Sequence, residues 1–198
     1  MKGLLLISGG IDSPVAGKMM IERGASLIAI HFSNEPFTSD EPEKKSLETA
    51  KIIGVKKVIV INLSEEFSQI VKNCNHRYYF VLTKRLMLRV AEKIAGKEDC
   101  DFLVTGENLG QVSSQTLENL AIIDEAVDIC VHRPLLTFDK NQIIDLAREI
   151  DTYEISKGPE MCCVLGPNNP ATRSKLTYIR SEEEKISDIL NSALRKVL

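Results

Sequence analysis

Apolar and polar positions follow two rhythms along the chain. Continuous apolar runs, GLLLIS (3–8), SLIAIHF (26–32), KKVIVINL (56–63) and DFLVTG (101–106), read as strands covered on both faces. Segments with helical spacing lie between them: SPVAGKMMIERG (13–24), EPEKKSLETAKIIG (41–54) and a long stretch over about 65–96. Pro14 suits the first turn of the first helix, and Gly24 suits its stop. Further on, DICVHRPLL (128–136) holds a last strand, and DKNQIIDLAREI (139–150) reads as a helix capped by Asp139. Residues 157–170, rich in Gly, Pro and Asn, read as a loop, and SEEEKISDILNSALRKVL (181–198) as one amphipathic helix opened by Ser181. Strands alternating with helices of this length predict an α/β fold: a doubly wound, mainly parallel sheet with helices on both faces. Residues 1–178 are expected to form one domain and 179–198 a C-terminal amphipathic helix packed on it or extending from it.

Composition narrows the class. With 198 residues, 43% of them hydrophobic, the chain can bury one sizeable core. Its start is too short and wrongly flanked for a secretory signal, and no apolar run approaches the roughly 20 residues of a membrane helix. The expectation is a soluble, cytoplasmic protein with no membrane partner. The five cysteines, an odd number without a secretory signal, argue against a disulfide framework, and with no CxxC among them no zinc pattern is expected. Cys74, Cys100 and Cys130 read as structural, with some reactivity left to Cys74 beside His76 and Arg77. The net charge of −3 argues against a uniformly basic nucleic-acid face, so any RNA contact must be local or helped by another protein.

The chemistry starts at SGGIDS (8–13), where the first strand meets the first helix. Gly9 and Gly10 permit special backbone conformations and leave amides uncovered. With the helix N-terminus behind them and the hydroxyls of Ser8 and Ser13 beside them, those amides make an anion site. Asp12 would repel a phosphate unless a cation intervenes, which suggests Mg²⁺. The string is neither GxxxxGK[ST] nor GxGxxG, and the second strand ends in His31-Phe32 without a ribose-binding acid.

SGGIDS resembles the PP-loop of ATP pyrophosphatases, which cleave ATP between the α and β phosphates. Together with IHF (30–32), TGENLGQVSSQTLENL (105–120), RPLLTFDK (133–140), YEIS (153–156) and CC near GPNNPAT, the chain resembles the PP-loop domain of the tRNA 4-thiouridine synthetase family, ThiI, over about residues 2–175. Typical members add a THUMP RNA-binding domain and some a rhodanese domain, so a stand-alone catalytic form is expected. The resemblance implies ATP as cofactor, with Ser8, Gly9, Gly10, Asp12 and Ser13 at the pyrophosphate. Leu6, Ile7, His31 and Phe32 would line the adenosine pocket, and Gly106 and Gln115 would contact the nucleotide. Gly106 would let the ligand approach the backbone. One cation of the long helix, Lys84 first and Arg85 second, would bind ATP. Lys140 would stabilise phosphate charge, a role its electrostatically unhelpful place near a helix start favours. Cys162 would handle sulfur, with Cys163 left open as the reactive thiol and Lys157 or Arg173 lowering its pKa.

The implied reaction is adenylation of a uridine oxygen in tRNA, followed by displacement with persulfide sulfur. Implied partners are tRNA, held through a separate THUMP-type protein, and a persulfide donor protein; a homodimer stays open. Alternatives are the same chemistry on a small metabolite or a sulfur-carrier protein of the thiamine-thiazole type, or a nucleotide-binding regulatory module.

Overall fold

In the computed structural model, which describes residues 1–110, 115–158 and 164–197, the apolar runs become strands of one parallel sheet. They are β1 (Lys2–Leu6), β2 (Ser26–Ser33), β3 (Val58–Asn62), β4 (Phe102–Val104) and β5 (Cys130–His132), ordered β3-β2-β1-β4-β5. Leu4 pairs with Ile28 on one side and Leu103 on the other, which places β1 at the centre. Because side chains alternate across a strand, Leu4 and Leu5 enter opposite cores.

One core packs α1 (Asp12–Glu22), α2 (Glu41–Ile52) and α6 (Lys140–Glu149) through Val15, Ala16, Ala50, Ile143 and Ala147. The other packs α3 (Ser64–Asn73), α4 (Tyr79–Lys97) and α5 (Leu117–Asp124), with α8 (Leu176–Glu184) and α9 (Ser187–Arg195). The one-turn α7 (Tyr153–Ser156) follows α6. Helix starts carry their own signals. Asp139 and Gln142 form a reciprocal capping box on α6, with Gln142 N donating to Asp139 Oδ1 at 2.9 Å.

Two predicted helices are divided. The stretch 65–96 breaks where Cys74 is extended, and a 3-10 turn at His76–Tyr78 is started by Asn75, whose side chain accepts from Arg77 N at 3.1 Å. The tail breaks after Glu184, and Ser181 lies inside α8 instead of capping it. Ile179, Ile186, Ala193 and Val197 all enter the α4 core, so the segment after residue 178 shares the domain's interior.

No helix among the described residues is long and apolar enough to cross a membrane.

Candidate active site

The strand order reverses between β1 and β4. Loops leaving neighbouring strands there diverge to opposite sides and open a crevice at their carboxyl ends. The glycine-rich loop leaves β1 and Gly106 follows β4, so both stand at this switch point.

The loop is closed by its serines. Ser8 N donates to Ser13 Oγ at 2.9 Å, and Ser13 Oγ donates to Ser8 O at 3.2 Å. Gly10 N reaches Ser8 Oγ at 3.3 Å. Ile11, at the N-cap of α1, supplies no side-chain acceptor, so the amide donors of the first turn suit an anion. A Cβ on Gly9 would lie 3.0 Å from Pro42 Cα, which seats the loop against the first turn of α2.

Gly106 is needed for a close contact within the chain. Its Cβ would lie 2.7 Å from Ser13 N and 2.8 Å from Asp12 C. The glycine therefore admits the backbone of the loop and α1.

The next residue, Glu107, is buried. Its carboxylate pairs with Lys84 Nζ through one oxygen and accepts from Arg133 Nε at 2.7 Å and Thr105 Oγ1 at 3.2 Å through the other. Arg133 also grips Asp124 with both terminal nitrogens, at 2.9 and 2.6 Å. Burial raises the Glu107 pKa, but Lys84 and Arg133 overcome it and hold the group at about 2. Asn108, also buried, donates to Leu135 O at 2.8 Å, and its backbone N–H reaches Gln115 Oε1 at 3.3 Å. Gln115 thus closes the loop after β4.

On the β2 side, His31 Nδ1 lies 3.1 Å from Ile7 O and 2.9 Å from Ser46 Oγ. A carbonyl only accepts, so Nδ1 carries the proton, and Ser46 gives its own proton to Pro42 O at 2.7 Å. Burial pushes the His31 pKa below the usual histidine value, against the pull of the Ile7 bond. The ring is neutral at neutral pH and ties the end of β2 to the residue before the loop. Asn34, just beyond β2, buries an Oδ1 that has no hydrogen-bond partner among the described residues. Leu6 and Phe32 are half-buried and Ile7 is buried at the same end of the sheet.

Other predicted residues go elsewhere. Arg85 is 1% exposed and does not face the crevice network. It donates to Glu183 at 2.8 and 3.0 Å, to Glu125 at 3.0 Å and to the Ile122 carbonyl, which makes it an internal clamp for α5 and α8 and corrects its expected place at ATP. Lys140 is exposed at the first position of α6, with no ion-pair partner among the described residues. Lys157 is paired with Glu154, and Arg173 with Glu118 at 3.0 Å. Cys162 and Cys163 lie outside the described residues. Burial, then the Glu182 carboxylate, push the half-buried Cys74 thiol up to about 11, so it is not a ready nucleophile. Cys130, expected as structural, is exposed. No local pattern marks Glu107 or Arg133 as site residues, although Glu107 lies in TGENLGQVSSQTLENL (105–120) and Arg133 in RPLLTFDK (133–140).

A glycine-rich loop at the switch point of a doubly wound parallel sheet defines a Rossmann-like PP-loop domain. The family model described as Thiamine biosynthesis protein (ThiI) matches residues 1–187, and the chain belongs to that family. A "Probable tRNA sulfurtransferase" of Alkaliphilus oremlandii is 46% identical over 191 residues, 93% of this chain and 49% of the relative. One from Moorella thermoacetica is 42% identical over 94% of this chain and 49% of its own length. A crystal structure of a 4-thiouridine synthetase–RNA complex with bound ATP matches with a TM-score of 0.91 at 38% identity, over 98% of this chain and 53% of that one. The chain thus spans about half the length of these relatives.

Proposed function

We propose that this chain is the ATP-using catalytic unit of a tRNA sulfurtransferase. The observation that carries the reading is the match over 98% of the chain to a 4-thiouridine synthetase complexed with RNA and ATP, combined with an uncapped helix behind a serine-closed glycine loop at the switch point. ATP lies with its phosphates on the amides of Ser8–Ser13 and its adenosine beside Leu6, Ile7, His31 and Phe32. Lys84 and Gln115 contact the nucleotide from the β4 side, and Lys140 balances phosphate charge.

The uridine O4 attacks the α phosphorus, an O4–P bond forms, the bond to the β-phosphate oxygen breaks and pyrophosphate leaves. The terminal sulfur of a persulfide, delivered by a donor protein and carried on Cys162, then attacks C4, and AMP leaves with the old oxygen. A thiol breaks the remaining S–S bond, which frees the thiouridine and leaves a disulfide. Oriented amide donors at the phosphates strengthen as charge develops in the transition state.

Mg²⁺ fits as an ion carried by the nucleotide. Among the described residues no group of three or more His, Cys, Asp or Glu could hold a metal, whereas one carboxylate, Asp12, stands in the first turn of α1. One carboxylate plus substrate phosphates is a common Mg²⁺ environment. The ion would supply charge neutralisation between Asp12 and the phosphates. A THUMP-type RNA-binding unit outside residues 1–198 helps hold the tRNA, since a net charge of −3 offers no broad basic face.

The test is nucleoside mass spectrometry of tRNA from cells deleted for this chain. We expect 4-thiouridine to disappear and to return with the wild-type sequence but not with Asp12→Ala. An unchanged thionucleoside profile overturns the reading.

A further inference from the structure

We infer that Glu107 is a positioning residue, which aims the Lys84 ammonium at the nucleotide while Arg133 holds Glu107 from behind. The inference rests on the reading that Lys84 contacts ATP, and goes beyond it by assigning what places that cation.

Three features carry it. The first is location. Glu107 follows Gly106, whose backbone lies so close to Ser13 N and Asp12 C that a Cβ would collide with them. The carboxylate is therefore one residue from the first turn of α1, although Lys84 reaches it from α4, 23 residues earlier in the chain. The second is division of labour. One Glu107 oxygen serves Lys84, and the other serves Arg133 at 2.7 Å and Thr105 at 3.2 Å. Arg133 has its Nε on Glu107 and both terminal nitrogens on Asp124, so its planar fork is committed. An ammonium has three donors, and Glu107 takes one, which leaves Lys84 as the member that can also turn towards a phosphate. The third is burial. The Glu107 side chain is 11% exposed and that of Arg133 7%, against 25% for Lys84. Asp124, at the far end, is 43% exposed, so the Arg133–Glu107 pair is the buried middle of the network and Lys84 is its more exposed cation.

A carboxylate held at about 2 stays ionised throughout the neutral range, so this hold on Lys84 does not titrate where the protein works. Lys84 and Arg133 carry two positive charges against the two negative charges of Glu107 and Asp124. The four-residue cluster is balanced without ligand.

The experiment is a double-mutant cycle on the full chain, read by equilibrium ATP binding and by the ATP dependence of tRNA-stimulated pyrophosphate release. Glu107→Gln is expected to weaken ATP binding and raise its KM about tenfold, with kcat changed less than threefold, since coupling through one held contact is worth about that factor. Lys84→Met should weaken ATP at least as much. Adding Glu107→Gln to Lys84→Met should then change ATP affinity less than twofold. Fully additive losses overturn the positioning role while leaving Lys84 at the nucleotide. Wild-type ATP affinity in Lys84→Met overturns both, and no ATP binding by the unmodified chain overturns the proposed function itself. Should Glu107→Gln fail to fold, Glu107→Asp, which withdraws the carboxylate by one methylene, is read in the same cycle. A KM raised at least threefold supports the inference and an unchanged KM overturns it.

Discussion

Lys84 and Arg85 are neighbours on α4, both cationic, and both meet glutamates far away in the chain. Their surroundings differ in every other respect. Arg85 is 1% exposed, and Glu183, Glu125 and the Ile122 carbonyl occupy its fork. Lys84 lies at the crevice side, a quarter exposed, with Glu107 as its partner. A rigid planar group with directional donors suits a fixed junction between helices, whereas a flexible ammonium can keep one partner and add a ligand. One turn of helix thus serves two regions: a closed clamp that fastens α5 and α8 to α4, and an open network beside the pyrophosphate loop.

If the two regions are separate, breaking the clamp should cost stability and spare the site. Glu183→Ala leaves the buried Arg85 and its neighbour Arg89 without their shared carboxylate. The expected loss is about 4 kcal/mol. For a chain of this size that lowers Tm by about 8–16 °C. ATP affinity measured well below the new Tm should change less than twofold; a parallel loss of affinity would merge the two regions into one.

The open network should announce itself in acid. Glu107 is held at about 2 in the folded chain against an ordinary 4.5. Because the folded value is the lower one, this stabilisation is present above about 4.5 and vanishes as pH falls towards 2. It amounts to about 3 kcal/mol at most. Urea midpoints between pH 6 and pH 2.5 should fall more steeply for the wild type than for Glu107→Gln. Identical pH dependence would show that the carboxylate is not held this way.

The smallest effect tests the seam between β4 and α1. Gly106→Ala places a methyl group 2.7 Å from Ser13 N, and the overpacking should cost about 2 kcal/mol. Since the displaced atoms belong to the pyrophosphate loop, ATP binding should weaken even when the protein is fully folded. Wild-type affinity in a destabilised Gly106→Ala protein would detach Gly106 from the site.

Local features of the fold were legible in the chain. The apolar runs of β1 to β4, the Asp139 cap and the glycine loop are written within a few residues of one another, so periodicity and cap chemistry suffice to find them. The divided helices were harder, because Asn75 competes for Arg77 N through its side chain and nothing in the helical spacing of 65–96 announces that. The candidate residues in SGGIDS stand out for the same local reason. Glu107 stands within the motif TGENLGQVSSQTLENL, but nothing local marks it as a buried anion, since its partners Lys84 and Arg133 lie 23 and 26 residues away.

By itself, then, the sequence determined the alternation of strands and helices, the glycine-rich turn and its resemblance to a known family, because each depends on neighbours along the backbone. Tertiary structure alone decided the reversal of strand order between β1 and β4, the contact of Gly106 with Ser13, and the opposite fates of Lys84 and Arg85. An amphipathic pattern states which face is buried but not against what, and a charge on that face acquires its role only when folding supplies the partner.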